Sequence, residues 1–299
     1  MFRIRFHGRG GHGMKTASRI VGTAAFLEGY YVQDFPLYGA ERRGAPITAY
    51  TRISNEPVLE RGIVTDPDVV VIADDSLIED PQANPLRGVI TSTLILVNTT
   101  STDIKEKLNV NGPTNTIDIT GISLEIIGKG AAISAAIAGA TCKILGIIKL
   151  ENVKMGIIKE LQIIGISKEV IEKNIEAAVK SFDALPSYKI LPREITTPVT
   201  SKIFTISYQE PSISSPSVYA SGNIVERQTG KWRIFKPIIN LDECNKCWIC
   251  FVRCPEGVIS LDDDEYPYID YEHCKGCLIC HEECPVKAIT VEREAHKGG

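Results

Sequence analysis

Cys244-Asn245-Lys246-Cys247-Trp248-Ile249-Cys250-Phe251-Val252-Arg253-Cys254-Pro255 and Cys274-Lys275-Gly276-Cys277-Leu278-Ile279-Cys280-His281-Glu282-Glu283-Cys284-Pro285 are two copies of one pattern. Each reads C-x2-C-x2-C-x3-C-P, and together they hold all but one of the chain's 9 cysteines. That spacing holds 4Fe–4S clusters, in which each corner iron needs one thiolate. Three cysteines at x2 spacing wrap one cluster in a tight loop, and the fourth, before proline, reaches the neighbouring cluster. The spacing therefore assigns Cys244, Cys247, Cys250 and Cys284 to one cluster. It assigns Cys274, Cys277, Cys280 and Cys254 to the other. The chemistry implied is one-electron transfer.

The flanks repeat as well. Ile239-Asn240-Leu241-Asp242-Glu243 precedes the first copy as Ile269-Asp270-Tyr271-Glu272-His273 precedes the second. Gly257-Val258-Ile259-Ser260-Leu261 follows the first as Lys287-Ala288-Ile289-Thr290-Val291 follows the second. The unit recurs with a shift of 30 residues, so a pair of short strands is expected around each loop. The expected fold of this end is a small α+β domain of the bacterial-type two-cluster ferredoxin kind. A domain of about 60 residues buries little core, and clusters supply what the core lacks. Zinc and disulfides are the alternatives. Zinc needs two ligand pairs and no proline after the fourth cysteine. Disulfides need an oxidising compartment, whereas the chain opens with the strand-like Met1-Phe2-Arg3-Ile4-Arg5 and no signal peptide, so a cytoplasmic location is expected. Cys142, in an Ala/Ile-rich run, reads as a small buried hydrophobe.

A length of 299 residues suggests two domains. With 43% hydrophobic and 23% charged residues the composition is that of an ordinary globular protein. No apolar run is long enough for a membrane span. The net charge of −4 is unevenly spread: residues 240–299 hold 13 acids against 6 bases, and the remainder 24 against 27. An acidic iron–sulfur end argues against nucleic acid and for redox partners with basic faces. Residues 186–221 are rich in Pro, Ser and Thr and lack helical periodicity. They read as a long extended linker lying along a partner surface, or else as a disordered tether. The expected division is an α/β domain over 1–185, a linker over 186–228 and the cluster domain over 229–299.

Ahead of the linker, strand and helix patterns alternate. Residues 2–7, 32–35, 46–53, 69–73 and 94–98 read as strands, and 14–28, 133–150 and 168–183 as helices, the last capped by Ser167. This predicts an α/β domain with a mostly parallel or mixed sheet. Between the first strand and helix lie Gly8, Arg9, Gly10, Gly11, His12 and Gly13, a G-x-G-x-x-G turn. Such a turn lets the backbone approach an anion at a helix N-terminus. Asp34 lies about 20 residues on, where a ribose-binding acid of an NAD site would stand. A general phosphate or partner-binding loop, or a tight turn needing glycine for its dihedrals, explains the same residues. Glu41-Arg42-Arg43-Gly44 gives a second cationic loop, suited to phosphate or carboxylate or else simply solvated. No nucleophile–base constellation stands out. The histidines at 7, 12, 273, 281 and 296 are scattered.

Arg5-Phe6-His7-Gly8-Arg9-Gly10-Gly11-His12-Gly13, together with Tyr38-Gly39-Ala40-Glu41-Arg42-Arg43-Gly44-Ala45-Pro46, resembles the gamma subunit of 2-oxoacid:ferredoxin oxidoreductases, the pyruvate synthase group. Thr229-Gly230-Lys231-Trp232-Arg233-Ile234-Phe235-Lys236-Pro237, running into the cysteine motifs, resembles their delta subunit. The chain thus looks like a gamma–delta fusion, with His12 where the family carries glutamine. The resemblance implies an electron-transfer subunit without catalytic residues of its own. It implies thiamine diphosphate, Mg and a third 4Fe–4S cluster on alpha and beta partner subunits, a dimer of heterotrimers, and external ferredoxin as acceptor. It makes the glycine loop, Arg42 and Arg43 candidate contacts to a coenzyme A phosphate or to a neighbouring subunit, a better account of the loop than NAD. The substrate stays open among pyruvate, 2-oxoglutarate, branched-chain and aryl oxoacids, and oxalate, whose oxidation needs no coenzyme A. An NAD(P)-linked iron–sulfur oxidoreductase and a stand-alone electron carrier with a docking domain are the alternatives.

Overall fold

The computed structural model describes residues 1–37, 44–128, 133–188, 191–193, 210 and 228–294. The chain divides into two compact units, Met1–Arg193 with Ala295–Gly299, and Glu194–Glu294. Among the described residues no helix is long and apolar enough to cross a membrane.

The first unit is an α/β domain on a six-stranded mixed sheet. Its strands are β1 (Phe2–Arg9), β2 (Tyr31–Leu37), β3 (Pro46–Ser54), β4 (Val69–Ile72), β5 (Leu94–Asn98) and β6 (Thr114–Ile117), in the order β2-β3-β1-β4-β5-β6. β1, β4, β5 and β6 are parallel neighbours, and β3 runs antiparallel between β1 and β2. The parallel strands β4 and β5 are apolar along their length because both faces are covered. One face packs Ile4, Phe6, Val69, Val71, Leu94 and Leu96 against helices α1 (Met14–Leu27), α4 (Ser134–Leu145), α5 (Leu150–Ile163) and α6 (Lys168–Asp183). The other packs Val70, Ile72, Ile95 and Val97 with Leu77 and with Ile104 and Leu108 of the short α2 (Ile104–Leu108). Cys142 is fully buried in the larger core, as its setting suggested, and burial pushes its thiol pKa up.

Asn98 closes the carboxyl end of β5. Its Nδ2 donates to the Ala73 carbonyl at 2.8 Å, and its Oδ1 accepts from the Ile119 N–H at 2.8 Å, where α3 (Ile119–Ile126) begins. The helix expected over 133–150 is shorter: α4 stops at Leu145, and a separate helix, α5, starts at Leu150. Gly146 adopts φ 69° and ends α4, and a Cβ there would meet the Tyr188 carbonyl oxygen at 2.7 Å. The chain stays on this domain beyond residue 185. The Tyr188 hydroxyl bonds Asn115 Oδ1 at 2.9 Å, and the Arg193 N–H bonds Asp68 Oδ1 at 2.7 Å.

In the second unit, β7 (Phe235–Ile239) pairs antiparallel with β10 (Ile289–Arg293), and β8 (Ile259–Leu261) with β9 (Pro267–Ile269). One cysteine loop and the short α7 (Ile249–Arg253) lie between β7 and β8. The other loop and α8 (Ile279–Glu282) lie between β9 and β10. Each half thus gives one strand to each sheet. The internal repeat survives to single bonds: Asn240 N–H donates to Ala288 O at 2.7 Å, as Asp270 N–H donates to Val258 O at 2.8 Å.

Candidate functional site: two thiol-lined cavities

The second unit encloses two cavities. Cys274, Cys277, Cys280 and Cys254 line one, and Cys244, Cys247, Cys250 and Cys284 the other, each of about 20 Å³. Near-equal volumes and equal thiol counts suit one kind of occupant in both. Each loop lends three cysteines to its own cavity lining and the cysteine before proline to the other.

Local backbone strain makes this possible. Trp248 (φ 56°) and Leu278 (φ 64°) both take the left-handed conformation ahead of their helices, although each carries a Cβ. That is costly for such residues and characteristic of functional loops. Gly276 also takes φ 64°, and a Cβ there would meet the Phe235 carbonyl oxygen at 2.4 Å.

The donor set and its surroundings fit an iron–sulfur cluster. Among the described residues no group of His, Cys, Asp or Glu side chains converges to hold a single metal ion. The four sulfurs ring a space instead, unlike a tetrahedral zinc centre. All eight motif cysteines are free thiols. The rest of each lining is largely apolar: Ile259, Ile269, Val258 and Leu278 at one, Ile239, Trp248, Val286 and Ile289 at the other. Burial holds the Cys250 and Cys274 thiols above their usual pKa and pushes Cys280 up to about 12. Such thiols become thiolates when a cationic centre displaces their protons. Backbone N–H groups of Phe251, Gly276 and His281 point the other way, lowering the pKa of Cys250, Cys274 and Cys280 respectively. These donors would serve the same sulfurs as ligands. Trp248 lines its cavity but is 38% exposed, and Phe251 is 44% exposed, so the apolar cover on that side is partial. The His281 ring is fixed, with Nδ1 2.5 Å from the Ile289 carbonyl oxygen.

The glycine turn stands at the carboxyl edge of the parallel strands, the usual ligand edge of an open α/β sheet. Gly8 is required by packing, since a Cβ would meet Met14 Cγ at 2.4 Å. Gly10 is pinned by its N–H to Ala45 O at 2.8 Å and by Gly44 N–H to its own carbonyl at 2.9 Å. Gly11 takes φ 102°, and the His12 N–H closes the turn on Arg9 O at 2.9 Å. Gly13, at φ 73°, caps α1, which has no side-chain cap and no acid in its first turn. Arg9 points inward. It is 1% exposed, with Nε 3.1 Å from Asp74 Oδ2 and Nη2 2.5 Å from Ser76 Oγ. Asp34 does not approach the turn. Its Cβ is 3.6 Å from a Cβ placed on Gly22, about 13 Å along α1 from Gly13. β2 is moreover separated from β1 by β3, unlike the adjacent parallel strands of a dinucleotide fingerprint. Arg42, Arg43 and most of the linker at 186–228 lie outside the described residues. One polar cleft was not read from the sequence. Thr99, Thr100, Ser101, Thr102, Lys105, Thr116 and Asp118 line it beyond β5 and β6, and the only signal was the hydroxyl run after β5.

An α/β domain joined to a domain with two four-thiol cavities defines an iron–sulfur electron-transfer subunit. The 4Fe-4S dicluster domain family matches residues 243–289. The family of pyruvate ferredoxin/flavodoxin oxidoreductases matches residues 3–184, and the chain belongs to that family. It is similar to the pyruvate/ketoisovalerate oxidoreductases common subunit gamma of Thermococcus kodakarensis, 42% identical over 193 residues, 64% of this chain and 100% of that protein. It is similar to the pyruvate synthase subunit PorC of Methanocaldococcus jannaschii, 36% identical over 62% of this chain and 97% of that one. The crystal structure of pyruvate oxidoreductase subunit PORC from Thermotoga maritima shares 35% identity over 61% of this chain and 95% of its own, with a TM-score of 0.52. Those subunits are accounted for by a length equal to the first domain, and here a 4Fe–4S domain is carried on the same chain.

Proposed function

We propose that the chain is a gamma–delta fusion carrying two 4Fe–4S clusters, and that it conducts electrons from a thiamine-diphosphate site on alpha and beta partners to external ferredoxin. The observation that carries this reading is the pair of cavities, each ringed by four cysteines drawn from both loops. A 4Fe–4S cluster accepts and releases one electron at a time. The chain's own part is to hold the clusters through Cys244, Cys247, Cys250 and Cys284 and through Cys274, Cys277, Cys280 and Cys254. Apolar walls limit water around them, and the backbone N–H groups stabilise the thiolates. The substrate is a 2-oxoacid of the pyruvate type, with oxalate the variant that dispenses with coenzyme A. The glycine turn at Gly8, Arg9, Gly10, Gly11, His12 and Gly13, with Arg42 and Arg43, is the proposed contact for a coenzyme A phosphate or a partner subunit. The uncapped start of α1 supports an anion there.

Anaerobic purification of the tagged chain from its host tests the reading. Two larger subunits with thiamine-dependent 2-oxoacid oxidation should co-purify, with about eight irons per copy of this chain beyond those on the partners. Cys284→Ala should disturb the cluster of the 244–250 loop, not that of its own loop. Loss confined to its own loop's cluster would refute the crossed ligation, and thiamine-dependent activity in this chain alone would refute the subunit role.

A further inference from the structure

The 30-residue repeat lets the two cavity walls be compared position by position. After the first ligand of each loop stands Asn245 in one and Lys275 in the other, each lining its cavity. Where Val286 lines the first cavity, Glu256 lines the second. Lys275 Nζ is 2.9 Å from Glu256 Oε2, with both side chains 12% exposed, and stands 5.1 Å from the centre of the Trp232 ring. A lysine held between a carboxylate and a ring is a fixed charge beside the site.

The segments leading into β7 and β9 widen the contrast. Residues 229–234 lie against the second loop: Thr229 Oγ1 donates to His273 O, and Gly230 N–H to Glu272 O at 2.6 Å. Residues 262–266 lie against the first: Trp248 Nε1 donates to Glu265 O at 3.1 Å, and Lys246 Nζ to Asp264 O at 2.8 Å. The first of these segments carries Arg233; its counterpart is Asp262-Asp263-Asp264-Glu265. Arg233 is 7% exposed. Its Nη1 donates to the carbonyls of Tyr271 and Cys274, the latter at 3.1 Å, while Nε and Nη2 hold Glu294. The guanidinium therefore stands between its carboxylate and the cysteine loop, with a positive edge toward the ligand Cys274. Glu256 is as buried as Lys275 and offsets much of its charge, so the contrast rests chiefly on the buried Arg233, which turns its positive edge to the second loop, and on the four acids at 262–265 beside the first.

Positive charge near a cluster stabilises the added electron, and negative charge opposes it. We propose that the cavity of Cys274, Cys277, Cys280 and Cys254 holds the cluster of higher reduction potential, where an electron entering the domain comes to rest. The inference rests on the two-cluster reading above. No bond forms or breaks: one electron from oxidation of the 2-oxoacid on the partners enters, and one leaves to ferredoxin.

Potentiometric titration of the full chain in its complex, followed by electron paramagnetic resonance, tests this. Lys275→Asn and Asn245→Lys exchange residues that the two loops already use. Lys275→Asn should lower the upper of this chain's two potentials, and Asn245→Lys should raise the lower. Each shift should be roughly tenfold in the reduction equilibrium, about 59 mV for a one-electron couple. Lys275→Asn moving the lower potential, or both variants leaving both potentials in place, overturns the assignment. Iron analysis separates the two failures: a wild-type chain with about four irons instead of about eight sinks the two-cluster reading, and the assignment with it.

Discussion

His7 is 3% exposed on β1, and neither ring nitrogen has a hydrogen-bond partner. Burial, and then the charge of Arg5, hold its pKa down to about 3. The folded domain keeps it neutral, whereas the unfolded chain binds a proton near pH 6.5. The stability contributed is complete above pH 6.5 and is lost as the pH falls toward 3, by up to about 1.4 kcal/mol per unit. Between pH 7 and pH 5 the native chain should lose about 2 kcal/mol more than His7→Leu in urea unfolding of the first domain; parallel profiles would reject the assignment. The strand itself was legible in the alternation of Phe2-Arg3-Ile4-Arg5-Phe6-His7. The burial of its polar face was not. Arg5 is held by the carbonyls of Val64, Pro85 and Arg87 at 2.6–3.1 Å, acceptors that local pattern does not announce. The two cysteine loops, by contrast, were legible because each is a local spacing pattern within a dozen residues.

Helix contact in the first domain depends on one missing methyl. α4 and α6 approach so closely at Gly139 that a Cβ would lie 2.4 Å from the Ala178 carbonyl oxygen. Gly139→Ala should therefore destabilise the domain by about 1–3 kcal/mol, despite alanine's better helix propensity. A chemical-denaturation midpoint at or above the native value would show that the helices part without cost. Elements with strong periodicity, such as α6, or with continuous apolar runs, such as β4 and β5, were readable. β6 was not, because Thr114-Asn115-Thr116-Ile117 at the sheet edge carries almost no apolar signal. α5 was hidden because the apolar run continues across Gly146, and the turn there is a matter of one dihedral angle.

The two units have very different means of support. The first has a large aliphatic core shared by its sheet and helices. The second has a core of Cys250, Ile259, Cys280, Cys284, Ala288 and Ile289, in which half of the residues are prospective ligands. Removing iron with a chelator under reducing conditions should abolish the second unit's calorimetric transition and leave the first nearly in place. Two unchanged transitions would mean that the cysteine domain folds on its protein core alone. The interleaving of Cys254 and Cys284 has a further consequence. Each loop lends a thiol to its neighbour's cavity, so on the proposed two-cluster reading loss of either cluster would free a cysteine in both loops. On that reading, oxygen reaching either cluster would interrupt the proposed conduit as a whole, rather than leave a half-working wire on which electrons strand and leak.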